Sequence, residues 1–527
     1  MRMGRSGQPA GSASIQEQSG SPAGQEISYL AEGLGVNFAG TVLGRGLRFL
    51  LNAVLARLFG VQALGIYSLL MAVAAVMSKL SLMGLELGLV RYVSLHHKSG
   101  RHRDLHQTIS AGVLISLLIS SIVAVVICLA GPTVASTITE TEAGLLRLVA
   151  LSLPFTSLII LLTSALTAMG QVKYKVIVLD LSEPLVTLAA ATVVYLVAGP
   201  VIAGPAAAYL SWVIVATVLA AVFFSRSFSI GQCLQNVTRV PRWRVRELVR
   251  FSVPMGLSGG INIVVQRLDL LLLGFYLPVP EVGLYSAAAQ LSLLFSVLLQ
   301  GFRTVYMPMV PALGVRGDFE GLRRNLSLVT RWILLLGVPL VVLFFLSGSL
   351  LLTIFGSEFA AANVSLAILT VGQAFNIGAG LSGVTLAMAG HSRLHLLDNV
   401  LALVCFLAIG LFLIPRLGIV GAAIAQASSR AVFNLLAVLQ LYRRLHIHPY
   451  EWATAKPLLA GVLAALTAWL VGTWWHLADA AATTVLLDAL FGIVYIALLY
   501  MMGFEQGDRQ MAAVLMRRFL PAARKVH

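Results

Sequence analysis

The chain has 527 residues, 58% hydrophobic and 11% charged, with a formal net charge of +15 and a mean hydropathy of +0.91. Soluble domains carry about 25% charged residues, so this chain cannot cover its apolar surface with polar side chains and lipid must be its main solvent. That excludes a water-soluble enzyme and, because of where the basic residues fall, a nucleic-acid binder.

The first residues, including GQPAGSASIQEQSGSPAG, lack hydrophobic periodicity, and a disordered tail is expected over 1–33. No short apolar stretch with a small-residue cleavage site precedes the first span, so helix 1 is expected to act as its own insertion signal. Apolar windows of about 20 residues, enough for a ~30 Å hydrocarbon core, then recur to residue 502. About fourteen are expected, centred near residues 47, 77, 118, 156, 187, 213, 263, 297, 337, 375, 404, 429, 466 and 493. The fold class is therefore an all-α polytopic membrane protein. Residues 34–225 form a first lobe of helices 1–6, 226–250 a basic linker and 251–445 a second lobe of helices 7–12. Residues 446–503 hold helices 13 and 14, and 504–527 a basic tail.

The charges sort by turn. Lys98, Arg101 and Arg103, Lys173 and Lys175, the run RVPRWRVRELVR (239–250), Arg323 and Arg324, Arg443 and Arg444 and the terminal RRFLPAARKVH all fall on one side. Only Arg57 and Arg416 occupy the other turns. This is the positive-inside pattern, which predicts a cytoplasmic (inner) membrane location with both termini cytoplasmic, and attraction to anionic membrane lipids. The three cysteines form no evident bridge, and no CxxC or HExxH cluster suggests a metal or resident cofactor.

A repeat organises the chain. ARLFGVQALGIYSLL (56–70) reappears as GFYLPVPEVGLYSAA (274–288), with Gly65 matching Gly283, Tyr67 matching Tyr285 and Ser68 matching Ser286. VIAGPAAAYLS (201–211) reappears as GIVGAAIAQAS (418–428) at nearly the same displacement. Six helices per copy put both copies in the same orientation, related by an axis along the membrane normal, as in parallel-repeat transporters.

LARLFGVQALGIYSLL after helix 1, RLDLLLLGFYLPVPEVGLYSAA across helices 7 and 8, and LIPRLGIVGAAIAQASSR leading into helix 12 carry a family likeness. Over residues 30 to 445 the chain resembles the polysaccharide-type flippases of the multidrug/oligosaccharidyl-lipid/polysaccharide exporter superfamily. The helix count is more similar to the oligosaccharide-lipid and lipid II flippases than to twelve-helix drug exporters. The resemblance implies two V-shaped lobes opening alternately to each leaflet, and a groove for a polyprenyl tail beside the last two helices. It also implies a cationic central cavity, with Arg45, Arg48 and Arg303 on the helices that supply one.

Ionisable residues at membrane depth cost about 2.5–3.5 kcal/mol each. Arg45 and Arg48 in helix 1, Arg267 in helix 7, Arg303 in helix 8 and Arg430 in helix 12 must therefore face a protein interior or a wet cavity. Arg45 and Arg48 are three apart and share a helix face. Arginine suits pyrophosphate because its planar fork bonds two phosphate oxygens at once. The alternative is internal pairing with Glu86, Asp180, Glu183, Asp269 or Asp398. The acids offer a route to H+ or Na+ coupling: Asp269, Asp398, Asn399 and Ser428 resemble a cation site of some relatives, and Asp180 with Glu183 is a competing proton-titrating pair. Lys79 and Glu86, two turns apart, read as a structural pair. Prolines 154, 184, 254, 308, 311 and 339 are candidate hinges, and Trp474 and Trp475 interfacial anchors.

The expected function is a flippase, not an enzyme, moving a polyprenyl-pyrophosphate-linked oligosaccharide or polysaccharide unit to the outer leaflet. Its partners would be the lipid-linked glycan and membrane lipids, with glycan polymerases or glycosyltransferases of the same pathway. The rivals are a lipid II flippase, a multidrug exporter (which favours an acidic pocket) and a glycan polymerase or ligase (which needs a long outer loop rich in His, Asp and Arg).

Overall fold

The computed structural model describes residues 22–134, 140–237, 241–307, 309–315, 317–474 and 481–503, and among them every regular element is a helix. The first, α1 (Pro22–Leu82), has 61 residues. At 1.5 Å per residue such a rod would be about 90 Å long, three times a hydrocarbon core. It is broken at Gly60 (φ 81°, ψ −179°), a conformation only glycine adopts without strain. The arms 22–59 and 61–82 are thus separate crossings. A second break at Met83 and Gly84 leads into α2 (Leu85–Lys98).

The first lobe continues with α3 (His102–Val134), α4 (Glu140–Ala168), α5 (Val172–Ala198) and α6 (Gly204–Ser227). The second is entered through α7 (Ile230–Val237) and α8 (Arg242–Tyr276). It then runs through α9 (Val279–Ser292), α10 (Leu294–Tyr306), α11 (Met309–Val315), α12 (Phe319–Leu346), α13 (Gly348–Leu352), α14 (Asn363–Gly378), α15 (Ser382–Met388), α16 (Ser392–Leu417) and α17 (Ile419–Leu445). Two helices close the fold, α18 (Trp452–Trp474) and α19 (Ala481–Met502). Twelve of the described helices are long and apolar enough to cross a membrane, thirteen with the bent α8. The expected fourteen is thus approximate, and α1 enters that count as one helix although it breaks at Gly60.

Two expectations about boundaries change. The tail expected over 1–33 is helical from Pro22 onward. The linker expected over 226–250 is largely helix: the end of α6, all of α7 and the first turns of α8. Pro254 does not place the bend of α8, which falls between 261 and 263, after Gly259 and Gly260. The rest of the N-terminal tail, the C-terminal tail, Trp475 and Pro308 lie outside the described residues.

The lobes meet where the sequence repeats. A Cβ on Gly65 would fall 2.2 Å from the carbonyl oxygen of Val279, and one on Gly283 would fall 2.1 Å from that of Val61. The two copies of the motif therefore cross backbone against backbone, which any larger side chain forbids. Near the basic end of the seam Gly84 and Gly256 make a second crossing, with a Cβ on Gly256 falling 2.4 Å from Gly84 N. Beside the first crossing Arg57 Nε donates to Ile354 O at 2.8 Å, and Val61 N donates to Glu358 Oε1 at 3.1 Å. Helices α18 and α19 pack on each other and on α12, where Tyr495 donates to Leu335 O at 3.0 Å.

Candidate functional site: an arginine-bearing seam between the lobes

Four residues at four-residue spacing, Gly40, Gly44, Arg48 and Asn52, form one face of the first arm of α1. The glycines let α5 approach closely, as in small-xxx-small membrane contacts: a Cβ on Gly44 would lie 2.7 Å from Asp180 O. There α5 is not a regular α-helix but a π-helical turn, Val176–Leu181. Such widened turns leave carbonyls available to outside donors and recur at functional sites. Arg48 uses this opening. Its Nη2 donates to Leu179 O at 2.9 Å and to Glu183 Oε2 at 2.6 Å, its Nε donates to the same oxygen at 3.0 Å, and Asp180 Oδ1 lies 3.8 Å away. Asn52 Nδ2 donates to Arg48 O at 2.7 Å.

Arg45 goes elsewhere. Residues three apart on a helix differ by about 60° in direction, and here that separates the two side chains. Arg45 Nη1 reaches across the seam to Ser296 of α10, donating to its Oγ at 3.3 Å and its carbonyl at 3.4 Å. Ser296 heads a polar stripe on an otherwise apolar helix, Ser296, Gln300 and Arg303, at positions i, i+4 and i+7. Arg303 is exposed, donates to Met307 Sδ at 3.4 Å, lies close enough to His395 to act on it electrostatically, and sits about 10 Å along α10 from Ser296. Arg45 and Arg303 thus lie at two levels of one seam, while Arg48 is turned into the first lobe.

The other ionisable residues divide between two places. Asp269 is buried; its Oδ1 accepts from Leu270 N at 2.9 Å and its Oδ2 from Tyr285 OH at 3.1 Å. Arg267 and Arg430 are close enough to act on it electrostatically, and Arg267 also acts on Tyr67 across the seam. Asp398 is fully buried and accepts from Gln440 Nε2 at 2.5 Å, while Asn399 Nδ2 donates to His395 O at 2.8 Å. Leu272, one turn from Asp269, packs near Gly410, twelve residues or about 18 Å along α16 from Asp398. Asp269 and Asp398 therefore lie at different levels of the second lobe, so these two acids do not meet in one site. Asp180 and Glu183 stand as counter-ions of Arg48 instead of an isolated acid pair. Lys79 and Glu86 form a close ion pair.

Sequence reasoning missed Ser296 and Gln300, whose signal is the polar stripe itself. It also missed that both repeated tyrosines lie near acids, Tyr285 beside the buried Asp269 and Tyr67 near the partly exposed Glu183. At the basic end it missed Arg244, which is buried and donates to Asp104 Oδ1 at 2.6 Å and to His96 Nε2 at 3.0 Å. A lateral crevice of about 330 Å³ between α14 and α17 is lined by Val371, Phe375, Leu435 and Tyr450 and carries no charged side chain.

This two-lobed architecture is that of a multi-pass helical membrane protein. Its fold is similar to that of a lipid II flippase, MurJ, in an inward closed conformation (TM-score 0.71, 13% identity, 92% of this chain and 100% of that one). It is also similar to an inward-facing multidrug resistance MATE family transporter of the MOP superfamily (TM-score 0.61, 13% identity, 76% and 94%). Residues 30–313 match the family described as polysaccharide biosynthesis protein, and the chain belongs to that family. Among curated relatives it is similar to the capsular polysaccharide biosynthesis protein CapF of Staphylococcus aureus (25% identity, 38% of this chain and 51% of the relative). It is likewise similar to a putative O-antigen transporter of Shigella flexneri (27%, 38% and 47%) and a probable flippase, AglR, of Haloferax volcanii (26%, 34% and 39%). The chain spans about half the length of these relatives or less.

Proposed function

We propose that this protein is a flippase that carries a polyprenyl-pyrophosphate-linked glycan across the cytoplasmic membrane by alternating access. What supports this reading is that Arg45 of the first lobe reaches across the seam to Ser296, whose helix face also carries the exposed Arg303. Membership of the polysaccharide biosynthesis family supports the glycan as cargo. A pyrophosphate offers several anionic oxygens, and arginines on both walls can bind it whichever leaflet the seam faces. The basic turns and both termini are cytoplasmic on this reading. The prenyl tail stays in lipid beside α18 and α19, and pathway glycosyltransferases and a polymerase supply and consume the cargo. H+ or Na+ is the coupling ion.

The test is flipping of a fluorescent polyprenyl-pyrophosphate glycan in proteoliposomes, read with an impermeant quencher. Replacing Arg45 and Arg303 with alanine removes two charge-assisted contacts of about 1.5–3 kcal/mol each, so the rate should fall by about a hundredfold while the protein still folds. An unchanged rate in a folded variant would refute the assignment.

A further inference from the structure

Arg48 is held at membrane depth by a carboxylate and a backbone carbonyl, and the carboxylate resembles what the seam is proposed to carry. Glu183 places one oxygen on both Nε and Nη2, the geometry in which a phosphate oxygen meets a guanidinium. Asp180 adds a second negative charge at 3.8 Å. Two carboxylates thus sit beside Arg48. A dianionic headgroup approaching Arg48 meets these negative charges and must displace Glu183 from the guanidinium to bind it.

Three features distinguish this arrangement from a sealed structural pair. Both partners remain accessible, with 35% of the Arg48 side chain and 22% of the Glu183 side chain exposed. Arg48 keeps a second anchor, the Leu179 carbonyl presented by the π turn, so it need not collapse when Glu183 leaves. Arg45, one turn away, already faces the second lobe.

We propose that Glu183 is a built-in phosphate mimic: it occupies Arg48 when no substrate is bound and is displaced by the pyrophosphate of the entering headgroup. Glu183 is then a specificity residue. It sets a threshold that a doubly charged pyrophosphate clears and a single carboxylate or neutral lipid does not. This rests on the proposed function, since it assumes a phosphate-bearing cargo in the seam.

The test uses the full chain in nanodiscs with farnesyl pyrophosphate as probe and farnesol as its uncharged control. Glu183→Gln keeps the size and hydrogen-bonding capacity of the side chain but removes its charge. It should tighten farnesyl pyrophosphate binding by about tenfold and leave farnesol unchanged. In the Arg48→Gln background the same substitution should change nothing, because the competition is for Arg48. Should Glu183→Gln fold poorly, Asp180→Asn reports the same competition and should tighten binding by a smaller factor. If the wild type binds the probe, and Arg45→Ala and Arg303→Ala weaken that binding while Glu183→Gln does not tighten it, the mimic is overturned and the flippase reading stands. If neither wild type nor Glu183→Gln distinguishes farnesyl pyrophosphate from farnesol, both readings fall together.

Discussion

The two lobes share a motif but treat buried charge in opposite ways. In the first lobe an arginine is the held group: Arg48 is clasped by Glu183 and a backbone carbonyl and stays about one-third exposed. In the second lobe an acid is the held group: Asp269 is 9% exposed, and the repeated tyrosine, Tyr285, donates to it. The matching tyrosine of the first lobe, Tyr67, lies near Glu183 and Arg267 instead. Repetition has preserved the glycine crossing, where any Cβ is excluded, and let the neighbouring positions diverge. The first lobe offers a cation that an incoming anion can reach; the second offers a sealed acid.

The largest effect should come from the feature the lobes share. Gly65→Leu or Gly283→Leu puts a side chain where a carbonyl oxygen lies 2.1–2.2 Å from the Cβ. Closure at that end of the seam should fail, with transport reduced by more than about tenfold. Interlobe distances from spin labels should lengthen and broaden, whereas Gly199→Ala, where nothing lies within 4 Å, tests only the strain of its positive φ. Spin-label distances unchanged in the Gly65 variant would show that the crossing is not a lobe contact.

Next come the tyrosines. Tyr285→Phe strips a donor from a buried carboxylate and should cost about 1–3 kcal/mol in thermal or denaturant unfolding. Tyr67→Phe should cost less, since no hydrogen bond ties its hydroxyl to an acid among the described residues. Equal costs would erase the contrast between the lobes.

Smaller again is the packing of α1 on the π turn. Gly44→Ala would set a methyl 2.7 Å from Asp180 O and should cost about 1–3 kcal/mol. It should also loosen Arg48, which proteolysis or hydrogen exchange of α5 would report. A stable variant with unchanged exchange would mean that the glycine face does not position Arg48.

The smallest effect is a pH dependence at the basic end. Arg244 can only donate, so His96 Nε2 must accept and the ring must be neutral. Burial, together with the Arg244 guanidinium, holds the His96 imidazole below its ordinary value. A depressed histidine contributes stability above its unfolded value, near 6.5, and loses it as the pH falls through the folded one. The melting temperature should therefore drop between pH 7 and pH 5 by more in the wild type than in His96→Gln. An identical drop in both would place the titration elsewhere.

How much of this was legible beforehand follows from range. The helices, the repeat and the depth of the arginines are properties of short windows, and Lys79 with Glu86 is a pair seven residues apart on one face. The match of Gly65 to Gly283 was visible, but that these glycines touch each other requires the lobes to be docked. The Arg48–Glu183 bond spans 135 residues and depends on a π turn that hydrophobic periodicity does not encode. The separation of Asp269 from Asp398 was partly legible, since the sequence already puts one acid in the outer half of its helix and the other in the inner half; their hydrogen-bond partners, Tyr285 and Gln440, were not. Linker and tail boundaries moved because polar composition does not by itself prevent helix formation when a neighbouring helix can extend into it.

The account is tested most directly by electron cryomicroscopy of the chain in nanodiscs with a polyprenyl-pyrophosphate glycan bound. The expected result has the phosphates between Arg45 and Arg303, with Arg48 turned from Glu183 toward them. Phosphates bound outside the seam, with Arg48 still on Glu183 and the lobes still crossed at Gly65 and Gly283, would contradict it.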